Sequence, residues 1–167
     1  MRPSAKTTLL TTLAVITAAW AASALDHGCR YCGMTPTYAA HSWMEFHHTG
    51  KDPVGVCSLH CGAVHMALHP NEPPSRILVT DYLHGGLTDA DRAHWVLGGD
   101  IPGVMTRRAK WAFREGSDAR RFIGEHGGEP VTFDTALRGA LEDMRADTLL
   151  IQRMRHSQGN PVPSPDR

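Results

Sequence analysis

The chain changes from strand to helix within one stretch, Val54-Gly55-Val56-Cys57-Ser58-Leu59-His60-Cys61. Its first half reads as a short buried strand, and Ser58 is a favourable residue to begin a helix that Pro70 stops after about Leu68. Cys57 and Cys61 are four residues apart, so we expect their thiols on one side of the helix N-terminus. The helix dipole there favours thiolate, the form of cysteine that binds metals.

The residues around this stretch predict a strand–strand–helix–strand order. Strands are expected at 38–48, 54–57 and 76–80, with a Gly- and Pro-containing turn at 49–53. The helix lies between the second and third of these strands. The first half of the domain is therefore predicted at about 29–83.

The same order returns in the second half, at about 93–133. Strands are expected at 94–97, 107–114 and 130–133, and Ser117 is expected to cap a helix that ends before Gly127. Two units of similar size and order indicate an internal duplication. The sequence therefore predicts an α+β fold of two ββαβ-type halves.

One more helix is predicted at about 134–155, after the two halves. Asp134 can cap it, and apolar residues recur at helical spacing at Leu137, Leu141, Met144 and Ile151. Residues 157–167 form a polar, Pro-rich tail that we expect to be disordered. The predicted mature chain is thus a single domain over 25–156.

The first 24 residues have the features of a secretory signal. Arg2 and Lys6 form a basic region, an apolar stretch follows, and Ala22-Ser23-Ala24 fits a signal peptidase site. We expect cleavage after Ala24 and a periplasmic protein. Asp26-His27-Gly28 precedes the first cysteine in place of a lipobox, so no lipid anchor is predicted.

The charge balance argues against two classes of partner. Of 17 basic and 17 acidic residues, 15 basic and all 17 acidic ones follow residue 24, which leaves the mature chain at −2 with histidines neutral. Proteins that bind nucleic acid or anionic membrane surfaces carry a basic patch. We therefore expect neither partner.

The densest group of metal-binding residue types is Cys29-Arg30-Tyr31-Cys32-Gly33-Met34. Thiolates suit Cu(I), zinc or a redox dithiol, whereas a thioether such as Met34 suits Cu(I) and adds little to zinc. Cys29, Cys32 and Met34 are therefore candidate Cu(I) ligands, with Cys57 and Cys61 as a second candidate pair. Disulfides are a weaker interpretation, because such short spacings would close very small loops.

Several alternatives stay open at this point. The pairing of CxxC with CxxxC resembles a zinc ribbon, which makes a zinc-stabilised binding module the second choice of metal site. Cys29 and Cys32 also have the spacing of a thiol–disulfide oxidoreductase. His65 and His69 continue the four-residue spacing from Cys61, either as ligands or as solvated side chains. A mature N-terminus of Leu25-Asp26-His27 would suit Cu(II).

Beyond these residues, the sequence resembles the NosL family, the copper-binding accessory proteins of nitrous oxide reductase. The resemblance covers about 29–133 and rests on an ordered set of short motifs. These are Cys29-x-x-Cys32-Gly33-Met34, Gly103-Val104-Met105, Ala112-Phe113, Ala119-Arg120-Arg121-Phe122, Glu125-His126-Gly127-Gly128, Val131 and Phe133.

The resemblance implies a periplasmic, non-enzymatic Cu(I) carrier that delivers copper for nitrous oxide reductase assembly. It implies Cys29, Cys32, Met34 and Met105 as the metal ligands. Its implied partner is a copper-receiving protein, either the reductase or its assembly machinery. Family members are commonly lipoproteins, and this chain departs from that pattern.

Overall fold

The computed structural model describes residues 28–157. The predicted signal peptide, the Leu25-Asp26-His27 sequence and residues 158–167 of the tail lie outside them. The fold is α+β, as predicted: two antiparallel sheets, a helix on each, and a long C-terminal helix. None of the helices within residues 28–157 combines the length and apolar character needed to cross a bilayer.

The first half contains a four-stranded sheet in the order β2-β1-β3-β4. Met44 of the central strand pairs with Val56 on one side and Val79 on the other. The elements are β1 (Met44–His47), β2 (Val54–Val56), α1 (Leu59–Leu68), β3 (Arg76–Thr80) and β4 (Leu87–Asp89).

The second half repeats this topology in a three-stranded sheet of order β6-β5-β7. In both sheets the first strand of the unit is central, with the second strand on one side and the strand after the helix on the other. This shared order supports the predicted duplication. The elements are β5 (His94–Leu97), β6 (Lys110–Phe113), α2 (Gly116–His126) and β7 (Glu129–Val131).

The last helix, α3 (Phe133–Ser157), joins the two halves because it packs against both α1 and β5. Its buried face carries the small residues Ala136, Gly139 and Ala140, which allow close approach. The main hydrophobic core lies between the first sheet, α1 and α3, and a smaller core lies under α2. The extended packing of α3 therefore makes one body of two similar halves.

Details of several elements differ from the sequence prediction. Ser58 precedes α1, but its hydroxyl donates to the carbonyl oxygen of Val104 (2.9 Å) and makes no capping bond. Helix α2 begins at Gly116, so Ser117 lies inside it, and Phe133 begins α3 and does not end a strand. The short strand β4 was not predicted, because Leu87–Asp89 is too short for a recognisable alternation.

Candidate metal centre

The CxxC segment forms a tight turn closed by backbone hydrogen bonds. The N–H of Gly33 donates to the carbonyl of Cys29 (2.8 Å), and the N–H of Cys29 donates to the carbonyl of Met34 (2.7 Å). Gly33 adopts φ +76°, a conformation that glycine accepts at little cost. A further bond, from the N–H of Arg30 to the carbonyl of Gly55 (3.0 Å), fixes this turn beside β2.

The second pair of thiols comes from the junction of β2 and α1. Cys57 follows the last residue of β2, and Cys61 lies in the first turn of α1. The hydroxyl of Ser42 donates to the carbonyl of Cys57 (2.7 Å) and holds the backbone at this junction. The two sulfurs are 3.6 Å apart, on one side of the helix as the sequence predicts.

The fold brings both pairs together in one cluster. The Sγ atoms of Cys29, Cys32, Cys57 and Cys61 all lie within 4.8 Å of one another, and all four cysteines are free. Cys32 and Cys57 link the two pairs, with their sulfurs 3.5 Å apart. A metal held by four sulfurs at about 2.3 Å would separate neighbouring sulfurs by about 3.8 Å. The cluster is therefore close to the dimensions of a sulfur-ligated metal site.

Hydrogen bonds among the thiols concentrate negative charge on the CxxC turn. Donation from Cys32, Cys57 and Cys61 holds the pKa of Cys29 well below its ordinary value. The bond with Cys29 raises the pKa of Cys32, but bonds with Cys57 and Cys61 outweigh it and lower that pKa to about 7. The cluster thus favours thiolate at the two residues of the turn.

The thiols on the helix side of the cluster keep their protons more firmly. Their hydrogen bonds to Cys29 and Cys32, followed by burial, raise the pKa of Cys57. Cys61 shows the same direction of shift, first because it also bonds to Cys29. A metal cation that replaces these protons would remove the main obstacle to ionising both thiols.

The four thiols differ in access to solvent. Cys29 (3% exposed), Cys57 (0%) and Cys61 (2%) are buried, whereas Cys32 is partly exposed. Cys29 also lines a surface groove with Arg30 and Tyr31. The route to the cluster from solvent therefore leads through the CxxC turn.

The two candidate methionines lie against the same core as the cysteines and are partly buried. Met34 ends the CxxC turn. Met105 adopts φ +61°, and it is the one residue other than glycine in the described part of the chain with a positive φ. Such a conformation costs about 1–2 kcal/mol for a residue with a side chain, so its neighbours must hold it in place.

Contacts with Ser58, β6 and α3 fix the loop that carries Met105. Besides the bond from Ser58 to Val104, the N–H of Arg107 donates to the Asp147 carboxylate (3.2 Å). Thr106 accepts a bond from the Lys110 ammonium group (3.2 Å), which also pairs with Asp143 (2.7 Å). The bond from Ser58 to Val104 joins residues 46 positions apart, and the bond from Arg107 to Asp147 joins residues 40 positions apart. No local sequence pattern therefore indicates them.

A group of polar aromatic residues lies directly beside the cluster. The Tyr31 hydroxyl and Nδ1 of His65 are 2.7 Å apart, and Nε2 of His65 is 2.9 Å from Nε2 of His48. Burial, followed by the nearby His69 and His48, lowers the pKa of His65. The four-residue spacing after Cys61 indicated His65 and His69, whereas His48 carried no recognisable signal in the sequence.

Comparison with known proteins agrees with the resemblance of the motifs. Residues 22–139 match the family model described as NosL. The chain belongs to the NosL family. A crystal structure of the copper chaperone NosL from Shewanella denitrificans has a similar fold, with a TM-score of 0.52 and 22% identity over 66% of this chain and 89% of that one. The predicted family and fold class are both confirmed.

Two further similarities have a lower structural score or cover less of the relative. The solution structure of apo-NosL from Achromobacter cycloclastes aligns with 20% identity over 55% of this chain and 82% of that one, at a TM-score of 0.40. The HTH-type transcriptional repressor CutR of Bacillus subtilis (strain 168) is 28% identical over 120 residues. That alignment includes 72% of this chain and spans 62% of the length of the repressor.

Proposed function

We propose that this protein is a periplasmic Cu(I) carrier and not an enzyme. The observation that carries the proposal is the convergence of four free cysteines, three of them buried, in a chain of the NosL family. Thiolates are soft ligands, so they bind the soft ion Cu(I) in preference to harder ions. The name of the Shewanella denitrificans relative, a copper chaperone, supports the same cargo.

The difference in exposure among the thiols suggests how the cargo moves. Cu(I) would first meet Cys32, which is partly exposed and has a pKa of about 7, and would then bind the buried thiols as their protons leave. Release would reverse this order, with an incoming ligand replacing Cys32 first. Met34 and Met105 would complete the site with thioether sulfur, which Cu(I) accepts and zinc rarely does.

The proposed recipient is nitrous oxide reductase or a protein of its assembly machinery. This part of the proposal rests on family membership. The test is anaerobic incubation of the Cu(I)-loaded protein with copper-free reductase, followed by separation and metal analysis. Copper that moves to the reductase in the presence of a competing chelator supports the assignment, and copper that stays behind contradicts it.

A structural zinc site is the second candidate, because four sulfurs in a compact cluster also match tetrahedral zinc. The two metals predict different behaviour of the empty protein. A structural zinc site would contribute directly to folding, so its chelation would unfold the chain. A cargo site would leave the sheets and helices intact when it is empty.

The first experiment is therefore a Cu(I) titration of the mature protein without oxygen, in competition with a chromogenic chelator. One tightly held Cu(I) per chain, with circular dichroism unchanged between empty and loaded protein, supports the carrier. The Cys32→Ser variant should bind Cu(I) more weakly. Zinc that copurifies and cannot be removed without unfolding would contradict the carrier and favour the zinc module.

A further inference from the structure

Three histidines form a compact group beside the thiol cluster. His48 follows β1, whereas His65 and His69 lie four residues apart at the C-terminal end of α1. The rings of His48 and His65 have centroids 5.2 Å apart, and those of His65 and His69 are 4.9 Å apart. All three residues line the groove that also contains Cys29 and Tyr31.

Two nitrogen atoms of this group lie close to the separation found in a metal site. Nε2 of His48 and Nε2 of His65 face each other at 2.9 Å. Two imidazoles bound to one tetrahedral ion at about 2.05 Å place their nitrogens about 3.3 Å apart. A metal would therefore replace the hydrogen bond between these rings if the nitrogens moved apart by a few tenths of an ångström and the rings turned so that both lone pairs point at the ion.

The other nitrogen of His65 already has the partner that metal-binding histidines usually have. Its Nδ1 lies 2.7 Å from the Tyr31 hydroxyl. When Nδ1 donates its proton to that oxygen, the lone pair of Nε2 is free and points towards His48. Such hydrogen bonds fix the orientation of metal-binding imidazoles. Tyr31 belongs to the CxxC turn, so it also ties this group to the thiol cluster.

The surroundings leave the group accessible to an ion. Glu72 lines the same groove, and its carboxylate pairs with Lys51 (2.6 Å) at the surface. His69 is exposed, and His48 is partly exposed, so an ion can enter from solvent. His65 is buried (4% exposed) against the edge of the Phe46 ring and provides the fixed member of the group.

We propose that His48, His65 and His69 form a second metal site, for a divalent late first-row ion such as Zn²⁺, Co²⁺ or Cu²⁺. Imidazole nitrogen suits these ions, whereas the thiol cluster suits softer ones. The two sites are joined by one turn of α1 from Cys61 to His65, a rise of about 6 Å. This inference does not depend on the cargo of the thiol cluster.

Cobalt is a suitable probe because its two modes of binding have different spectra. Co²⁺ bound by thiolates shows sulfur-to-metal charge-transfer absorption in the near ultraviolet, and Co²⁺ bound by imidazoles alone lacks it. An anaerobic titration of the mature chain with Co²⁺ should show two equivalents. One should bring the charge-transfer band, and the other should bring visible absorption without it.

His48→Gln and His69→Gln are the variants of choice, because both side chains reach solvent and neither is part of the core. Each should lose the equivalent without the charge-transfer band, or weaken it more than about 10-fold, and keep the other. His47→Gln is the matched control: it changes the neighbouring histidine, whose ring contacts Glu45 (3.1 Å) and not this group. It should keep both equivalents.

The titration separates this inference from its alternatives. A single equivalent in the unmodified chain, or a second one that persists in either His48→Gln or His69→Gln, overturns the three-histidine site. Loss of the second equivalent in His27→Gln would assign it to the N-terminal sequence and would also overturn it.

Discussion

The two halves share a ββαβ order, but the junction between the second strand and the helix differs greatly between them. In the first half Cys57 and Ser58 lie at this junction and are buried. In the second half Arg114 and Glu115 occupy it and are exposed. The same backbone arrangement thus carries a buried sulfur cluster in the first half and an exposed charged turn in the second.

The reason for the difference is the position of α3. Helix α1 lies between the first sheet and α3, so residues on several sides of it are buried, including His60, Cys61 and Ala63. Helix α2 covers the second sheet alone, and its outer face is charged. A duplicated unit therefore becomes a candidate metal site where a further helix shields the N-terminus of its helix from water.

The largest expected difference in stability is between two carboxylates, one on α3 and one on α2. Asp143 of α3 pairs with Lys110, whose side chain is 1% exposed, so Asp143→Asn leaves a buried ammonium group unpaired. We expect a loss of about 3 kcal/mol in the free energy of unfolding, measured by urea titration near neutral pH. Asp118 of α2 pairs with exposed Arg121 and His84, and Asp118→Asn should cost less than about 1 kcal/mol.

The effect of Asp143→Asn should also depend on pH. Burial opposes ionisation of Asp143, but bonds from Arg108 and Lys110 outweigh it and lower its pKa. A carboxyl group whose folded pKa lies below the unfolded value of about 3.9 stabilises the fold fully above that value, and this contribution is lost as the pH falls through the folded pKa. The difference between the variant and the unmodified protein should therefore shrink below about pH 4. A difference independent of pH would contradict this origin.

The next effect concerns metal binding at the two junctions. Cys57→Ser removes a sulfur from the centre of the cluster. The Sγ atom of Cys57 lies 3.5 Å from that of Cys32 and 3.6 Å from that of Cys61. We expect Cu(I) affinity to fall by about 100-fold or more, equivalent to about 2.7 kcal/mol, in an anaerobic chelator competition. Ser117→Ala, near the corresponding junction of the second half, is the control and should leave the affinity unchanged. Equal affinities in all three proteins would remove Cys57 from the site.

A third comparison uses one glycine from each helix. A Cβ atom on Gly62 of α1 would lie 2.8 Å from the Phe46 ring, which is 0% exposed and packed in the main core. Gly62→Ala should therefore destabilise the protein by about 2 kcal/mol through overpacking. Gly124 of α2 faces open space, so Gly124→Ala should stabilise the protein by about 0.5–1 kcal/mol through helix propensity.

Thermal unfolding of the two glycine variants gives a direct check. The expected shifts in melting temperature have opposite signs. Shifts of the same sign would mean that α1 and α2 are packed with similar tightness, contrary to the structure.

The smallest expected effect distinguishes metal binding by the Met105 sulfur from simple packing of the Met105 side chain. Met105→Leu keeps a side chain of similar volume, so the free energy of unfolding should change by less than about 1 kcal/mol. Cu(I) affinity should fall by about tenfold, or about 1.4 kcal/mol, if the Met105 sulfur binds the ion. Met66→Leu is the control, because Met66 is also partly buried against the same core. Equal affinities in the two variants would exclude Met105 as a ligand.

Much of the secondary structure follows from local patterns. Strands β3 and β5 have the predicted bounds of 76–80 and 94–97, and α1 ends at Leu68 as Pro70 indicates. Boundaries were less accurate where loops contribute apolar residues, so the strand expected over 38–48 is limited to Met44–His47. Local residue types dictate a strand or helix, whereas its ends depend on tertiary hydrogen bonds.

The sequence by itself determined the family, the repeated ββαβ order and the residue types of the site, because these depend on spacing and side-chain chemistry. Only the tertiary structure decided that the Cys29–Cys32 turn meets the Cys57–Cys61 junction, through the bond from Arg30 to Gly55. It also brought His48 to His65 and anchored the Met105 loop to α3. These contacts join residues 17 to 40 positions apart, and their formation depends on the packing of whole elements, which no local pattern specifies.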